Sequence, residues 1–312
     1  MVTTFAVSAA HDRGEWMGLV PTGKEFKALH ILIHRIVGDK ITDEWNPGSN
    51  LAELAQQRLE QERIERERIE QELRVARSIQ QASLPESVPE LEGWQITPFY
   101  QPAREVGGDF YDFFELPEGR LGLVVGDATG KGVSAALVMA SARSMLRAVA
   151  QGTEHSPGGV LGRVNDALAT DIPPNMFITC FYAILEPESG RLLYANAGHD
   201  LPHVRHGDGD AVELRARGMP LGLMPSMSYE EKEIVLRAGE AALFYSDGLV
   251  EAHDPMGEMF GFPRLRTLVA EHDDERSLVD SLLEELYAFV GEGWEQEDDI
   301  TLLTLRRSAS LT

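Results

Sequence analysis

DFYDFFELPEGRLGLVVGDATGKGVSAALVMA, residues 109–140, is the stretch whose reading decides the fold. Two runs rich in aromatic and β-branched residues are separated by a turn, and a glycine-rich turn then leads into a helical pattern. The same texture continues on both sides. Strand-like runs recur at WQITPFYQ (94–101), MFITCFYAIL (176–185), GRLLYANA (190–197), EAALFYSD (240–247) and DITLLTLR (299–306), and helical stretches are predicted at about 132–151, 157–171, 262–272 and 276–290. Several strands follow one another with no helix between them, which predicts antiparallel pairing and excludes a βαβ-wound sheet. The expectation is an α+β domain of about 215 residues, long enough to bury a sizeable core.

Upstream the texture differs twice. Residues 51–82 (LAELAQQRLEQERIERERIEQELRVARSIQQA) contain no Gly or Pro and are built from strong helix formers, which predicts a helix of about 30 residues ended by Leu84-Pro85. Its charges interleave at i, i+4 spacing. A heptad seam through Leu59, Glu62, Arg66, Ile69, Leu73 and Ala76 places two charged residues where a coiled coil wants apolar ones. A solvated spacer and a dimerising, signal-relaying helix both fit that pattern. Before Asn46-Pro47-Gly48, the runs VTTFAVSAA, KALHILIHRIV and KITDEW read as two or three short strands, too few to stand alone. GEWMGLVPTGKEF (14–26) and HILIHRIVGDKITDEWN (30–46) resemble the last strands of SnoaL-like domains of the nuclear transport factor 2-like superfamily. The likeness covers about the final third of such a fold, so no ligand residues are carried over. The expected division is a partial SnoaL-like β fragment at 1–48, a helical or coiled-coil linker at 49–84 and the α+β domain at 85–308.

Composition narrows the function. The chain has 312 residues, 43% hydrophobic and 25% charged, with a formal net charge of −23. Residues 1–82 hold 11 Lys and Arg against 13 Asp and Glu, which leaves 17 against 38 beyond them, so the acidic excess there is 21. Such a surface repels phosphate backbones and anionic lipid, and neither nucleic acid nor membrane is an expected partner. No uninterrupted apolar stretch approaches the roughly 18 residues of a membrane span. With one cysteine, Cys180, and no signal-peptide pattern at the N-terminus, a reducing, cytoplasmic setting is expected.

The chemistry lies in where the aspartates fall. Asp109 sits in VGGDFYD, Asp127 ends LGLVVGD, Asp247 ends AALFYSD, and Asp298 and Asp299 open DDITLLTL. A carboxylate following a buried strand has a costly environment unless it is paired or bound to a cation. Hard divalent cations take such oxygen donors. Any one Asp-Gly pair is most simply a turn; four strand ends of this kind together are not. Other chemistries fare worse. GDATGKG has three residues between its glycines, where a Walker A loop needs four, and Gly132 follows Lys131 where Ser or Thr is required. HExxH and GxSxG are absent. His199 in NAGHDLP reads as a turn histidine or as a proton donor near the site, and Cys180 as buried and inert.

EVGGDFYDFFEL, VVGDATGKGVSAALVMASAR, YANAGHDLP, GMPLGLMP, LFYSDGLVEA and EDDITLLTLR, in this order, resemble the metal-dependent protein phosphatases (PPM family), in the bacterial SpoIIE-like and RsbU-like branch. The likeness spans about residues 76–307, and RVARSIQQASLP looks like the helix that leads into this domain in RsbU-like proteins. It implies a four-layer αββα sandwich of two antiparallel sheets, preceded by the linker helix and the β fragment, with two Mn2+ or Mg2+ ions at one end. Matched residue by residue, Asp109, Asp127, Asp247 and Asp298 correspond to the catalytic metal-ligating aspartates, Asp127 as the bridge. Ala128 stands where the family usually has a Gly whose carbonyl reaches the metal. Asp299 stands where the family often has Asn, so it could exchange roles with Asp298. Arg104 sits at the offset of a phosphate-binding Arg. The implied activity is hydrolysis of phosphoserine or phosphothreonine by a metal-activated water, on a phosphorylated STAS-type anti-sigma-factor antagonist. A homodimer through the linker helix is implied as well. A catalytically inactive phosphoprotein-binding module is the alternative.

Overall fold

The computed structural model describes residues 2–11, 25–37, 40–45, 49–85, 87–152, 156–207, 209–273 and 276–309, with side chains at Lys40 and from Arg58 onward. The chain divides into two compact units, Met1–Glu72 and Leu73–Thr312. In the first, β1 (Val2–His11), β2 (Glu25–Val37) and β3 (Lys40–Trp45) pair antiparallel in that order, with a bulge at Arg35/Ile36. The expected strands are present, while most of the GEWMGLVPTGKEF stretch lies outside the described residues. Helix α1 (Ser49–Ser83) is 35 residues long. Its exposed face is laced with ion pairs such as Arg63–Glu60 and Arg68–Glu65, and Leu59, Ile64 and Ile69 are exposed there.

The second unit holds two five-stranded antiparallel sheets. One has the order β11-β8-β7-β6-β5, built from β5 (Asp109–Leu116), β6 (Arg120–Ala128), β7 (Ile178–Glu186), β8 (Arg191–Ala197) and β11 (Glu231–Val235). The other has the order β10-β9-β12-β13-β4, from β4 (Trp94–Gln101), β9 (His203–Arg205), β10 (Ala211–Glu213), β12 (Ala241–Tyr245) and β13 (Ile300–Arg307). Helices α2 (Val133–Ala150) and α3 (Pro157–Asp171) cover the first sheet, α5 (Phe262–Glu271) and α6 (Leu278–Val290) the second, and α4 (Asp247–Val250) is a single turn.

Strand period explains the layering. Along β6, Leu121, Leu123 and Val125 join a core with Phe244, Leu303 and Leu305 of the facing sheet, whereas Val124 and Ala128 join the core under α2 and α3. Successive side chains alternate faces, and a sheet covered on both sides reads as a nearly unbroken apolar run. Phe181 stacks on Tyr194 at 5.3 Å and meets Phe244 across the layers at 5.6 Å between ring centroids. A third core, with Leu282, Leu286, Leu265 and Leu302, lies between the second sheet and its helices. The four-layer αββα arrangement expected from the resemblance is therefore present.

The expected helices and long strands agree with the observed ones within a few residues. Three short strands, β9, β10 and β11, give no periodic signal at three to five residues and were not foreseen. The strand expected to run through Asp247 stops at Tyr245, because Ser246 is the N-cap of α4 and Asp247 its first residue. Among the described helices α2 alone is long and apolar enough to cross a membrane. Here its Ala135, Met139, Ala142 and Leu146 are core residues, and its Arg143 and Arg147 pair with buried Asp112.

Candidate metal-binding active site

Strand register builds the site. Asp109 opens β5 and Asp127 lies near the end of β6, and the two are direct antiparallel partners. They share the parity of Tyr111, Phe113, Leu123 and Val125, which places them on the face between the sheets. Asp112, of opposite parity, faces α2 and its arginines instead. From the other sheet come Asp247, just after β12, and Asp298 and Asp299, just before β13.

These carboxylates act on one another. Burial first, then the charges of Asp247, Asp298 and Asp299, push the Asp127 carboxyl up to about 7, against a hydrogen bond from Asp109. Asp109, only 1% exposed, is held well above the carboxylate range by burial, Asp127 and Asp299, although Ser246 and Thr301 hydrogen bonds oppose this. Thr301 Oγ1 donates to Asp109 Oδ2 at 2.6 Å. Asp247 rises to about 6 through burial, Asp298 and Glu251, with the Gly248 N–H and Lys131 opposing. Lys131 Nζ lies 2.9 Å from Asp298 Oδ2.

Asp298 and Asp299 separate clearly. Asp299 Oδ1 accepts the Ala103 N–H at 2.8 Å, and Oδ2 accepts those of Gly108 at 2.6 Å and Asp109 at 3.3 Å. It thereby fixes the loop that carries Asp109, while Asp298 is left at the rim, its side chain 36% exposed. Glycine is required in this loop. A Cβ on Gly108 would stand 2.6 Å from the Ala128 carbonyl oxygen and 2.9 Å from Asp127 Oδ1.

Two residues gain definition that sequence reasoning did not give them. Asp200 is pushed up to about 7 by burial, Asp247 and Glu251, and only its place beside His199 in NAGHDLP could have pointed to it. His199 is 7% exposed, its Nδ1 is 2.8 Å from Thr179 Oγ1, and Asn196 holds its main chain from both ends. Burial lowers it to about 4, opposed by the Tyr245 main chain. Its main chain and Nδ1 anchor the turn, while Nε2 is buried without a hydrogen-bond partner. Cys180 is fully buried, its thiol pushed up by burial alone. Arg104 is exposed on the 102–106 loop and makes no ion pair among the described residues.

The donor set suits a hard divalent cation: carboxylate oxygens and one main-chain carbonyl, with the negative charge crowded and incompletely offset. Among the described residues no three His, Cys, Asp or Glu side chains stand at ligand spacing. The carboxylates are thus neighbours rather than a closed cage. Tyr100 Oη, buried without a hydrogen-bond partner and pushed upward by burial, Asp299, Asp109 and Asp127, adds an unsatisfied polar atom beside them.

Comparison with known proteins gives the chain its family and fold relatives. Residues 117–308 match the sequence model of Stage II sporulation protein E (SpoIIE). Protein IcfG of Synechocystis sp. is 34% identical, over 76% of this chain and 42% of that protein. Phosphoserine phosphatase RsbU of Bacillus subtilis is 29% identical, over 76% of this chain and 70% of RsbU. The SiaA-PP2C domain of Pseudomonas aeruginosa superposes with a TM-score of 0.68 at 24% identity, over 78% of this chain and 98% of that domain. The chain thus spans about two fifths of IcfG and about seven tenths of RsbU.

Proposed function

Because the chain belongs to the Stage II sporulation protein E (SpoIIE) family, we propose that it is a metal-dependent protein serine/threonine phosphatase that hydrolyses phosphoserine. The observation that carries the reading is the in-register pair Asp109 and Asp127, facing Asp247 and Asp298 from the second sheet. Asp109, Asp127, Asp247, Asp298 and the Ala128 carbonyl would hold two Mn2+ or Mg2+ ions. When bound, these ions supply an activated water at neutral pH and offset the charge of the phosphate.

The chain's own residues do the rest. Asp299 keeps the Asp109 loop in place through three main-chain hydrogen bonds. Thr301 orients the Asp109 carboxylate. His199 meets Thr179 of β7 through Nδ1, and Asn196 holds its main chain, which fixes the turn before Asp200. Arg104, exposed on the loop before Asp109, is assigned to the substrate phosphate on its offset from Asp109 in the sequence. No side chain is needed as a covalent phosphate carrier.

On the family resemblance drawn from its motifs, the substrate proposed is a phosphorylated STAS-type anti-sigma-factor antagonist, met in the cytoplasm. The linker helix α1 pairs two copies and relays a signal to the catalytic unit. Every donor of the set is present, so the inactive binding module is not favoured.

The test is phosphate release from a phosphoserine protein with Mn2+ and with chelator. Activity is expected with Mn2+ alone and is expected to vanish in Asp127→Ala and Asp247→Ala. Activity surviving in both variants would overturn the reading.

A further inference from the structure

We propose that Lys131 is the resident counter-cation of the carboxylate cluster: it holds Asp298 while no divalent ion is bound, and it competes with that ion for the carboxylate. This rests on the divalent-ion reading above. Lys131 belongs to GDATGKG, the turn that fails as a phosphate loop and whose lysine is otherwise without a role.

Its flanking glycines, Gly130 and Gly132, have φ of +96° and +79°. A Cβ on either would meet nothing within 4 Å, so backbone conformation rather than space requires glycine there. The two bends carry Lys131 across the site to the segment before β13. There Nζ sits 2.9 Å from Asp298 Oδ2 and donates to the Glu297 carbonyl at 2.6 Å. One lysine thus joins the loop after Asp127 to the segment bearing Asp298. Its charge also reaches Asp247, where it opposes the upward push of the neighbouring carboxylates.

An ammonium and a hard divalent cation seek the same oxygen. The lysine is partly exposed, 42% at its side chain, and tethered only through hydrogen bonds, so it can yield. A lysine serving only as a loop strut would raise ion affinity by ordering the site. A competing counter-cation lowers it.

The discriminating experiment is calorimetric titration of Mn2+ into the chelator-treated full-length chain. Lys131→Met is expected to bind Mn2+ more tightly than wild type, by about fivefold, the size an exposed ion pair supports. Lys131→Arg, which keeps the charge, should bind like wild type. Lys131→Gln, which keeps a donor for the Glu297 carbonyl, should follow Lys131→Met. Unchanged or weaker binding in both neutral variants would overturn the proposal, as would equal tightening in Lys131→Arg. Absence of Mn2+ binding in the wild type would instead overturn the divalent-ion reading, so the two failures are distinguishable.

Discussion

At the scale of single residues, parity along a strand separates a candidate ligand from a structural ion pair three positions away. Asp109 points between the sheets and Asp112 into the α2 layer, where Arg143 and Arg147 neutralise it. Crowding of unneutralised carboxylates has a thermodynamic signature. Asp127 rises to about 7 and Asp247 to about 6 from an ordinary value of 3.8. A carboxyl raised on folding binds more protons folded than unfolded, so its stabilisation is complete below about pH 4 and is lost as pH climbs through 6 to 7. We expect the melting temperature of chelated protein to fall by about 5 °C or more between pH 5 and pH 8, and to be nearly flat with Mn2+. A chelated protein whose melting temperature rises over that range would contradict the cluster. Asp127→Asn should lower turnover by more than about 100-fold, beyond the loss of an outer-shell partner. The same change should raise the melting temperature of the chelated protein at pH 8.

The adjacent aspartates make a second comparison at this scale. Asp299→Ala leaves three main-chain donors without an acceptor and should cost about 3 kcal/mol by denaturant unfolding. Asp298→Asn gives up only a partly exposed ion pair and should cost less than about 1 kcal/mol. Yet it is Asp298→Asn that should weaken Mn2+ binding directly. Equal destabilisation by the two would refute the division of labour.

Among elements, the loop between β4 and β5 is the part that least tolerates change. Gly108→Ala puts a methyl against the Ala128 carbonyl and Asp127 Oδ1. Mn2+ affinity in that variant should drop at least about tenfold by calorimetry while far-UV circular dichroism is unchanged. Normal affinity would show that the Ala128 carbonyl takes no part. At the end of α1, Gln80 Nε2 donates to the Gly107 carbonyl at 2.6 Å and Gln80 Oε1 accepts the Gly107 N–H at 3.1 Å. The Asp109 loop is therefore held on one side by β13 and on the other by a helix. Strand and helix positions in this unit were readable because alternation and helix period are local properties. The short strands β9 to β11 were not, since their pairing depends on the neighbours they find rather than on their own pattern.

For the whole molecule, the division at Glu72/Leu73 falls inside α1. A fragment of residues 73–312 keeps all three cores and the Gln80 contact, and should unfold cooperatively by calorimetry. In sedimentation it should be monomeric, with the full chain dimeric. A dimeric fragment would remove α1 and the N-terminal sheet as the pairing elements.

The sequence by itself determined the long strands and long helices, the acidic excess beyond residue 82 and the candidate set Asp109, Asp127, Asp247 and Asp298. Those features are set by period, composition and motif, all carried by neighbouring residues. Tertiary structure alone decided that Asp299 fastens a loop while Asp298 lies at the rim, that His199 is buried against Thr179, that Asp200 joins the cluster and that Lys131 crosses to Asp298. Each of these depends on groups distant in the chain meeting in a buried, weakly screened space, where a difference of one hydrogen bond or one charge changes what a side chain does.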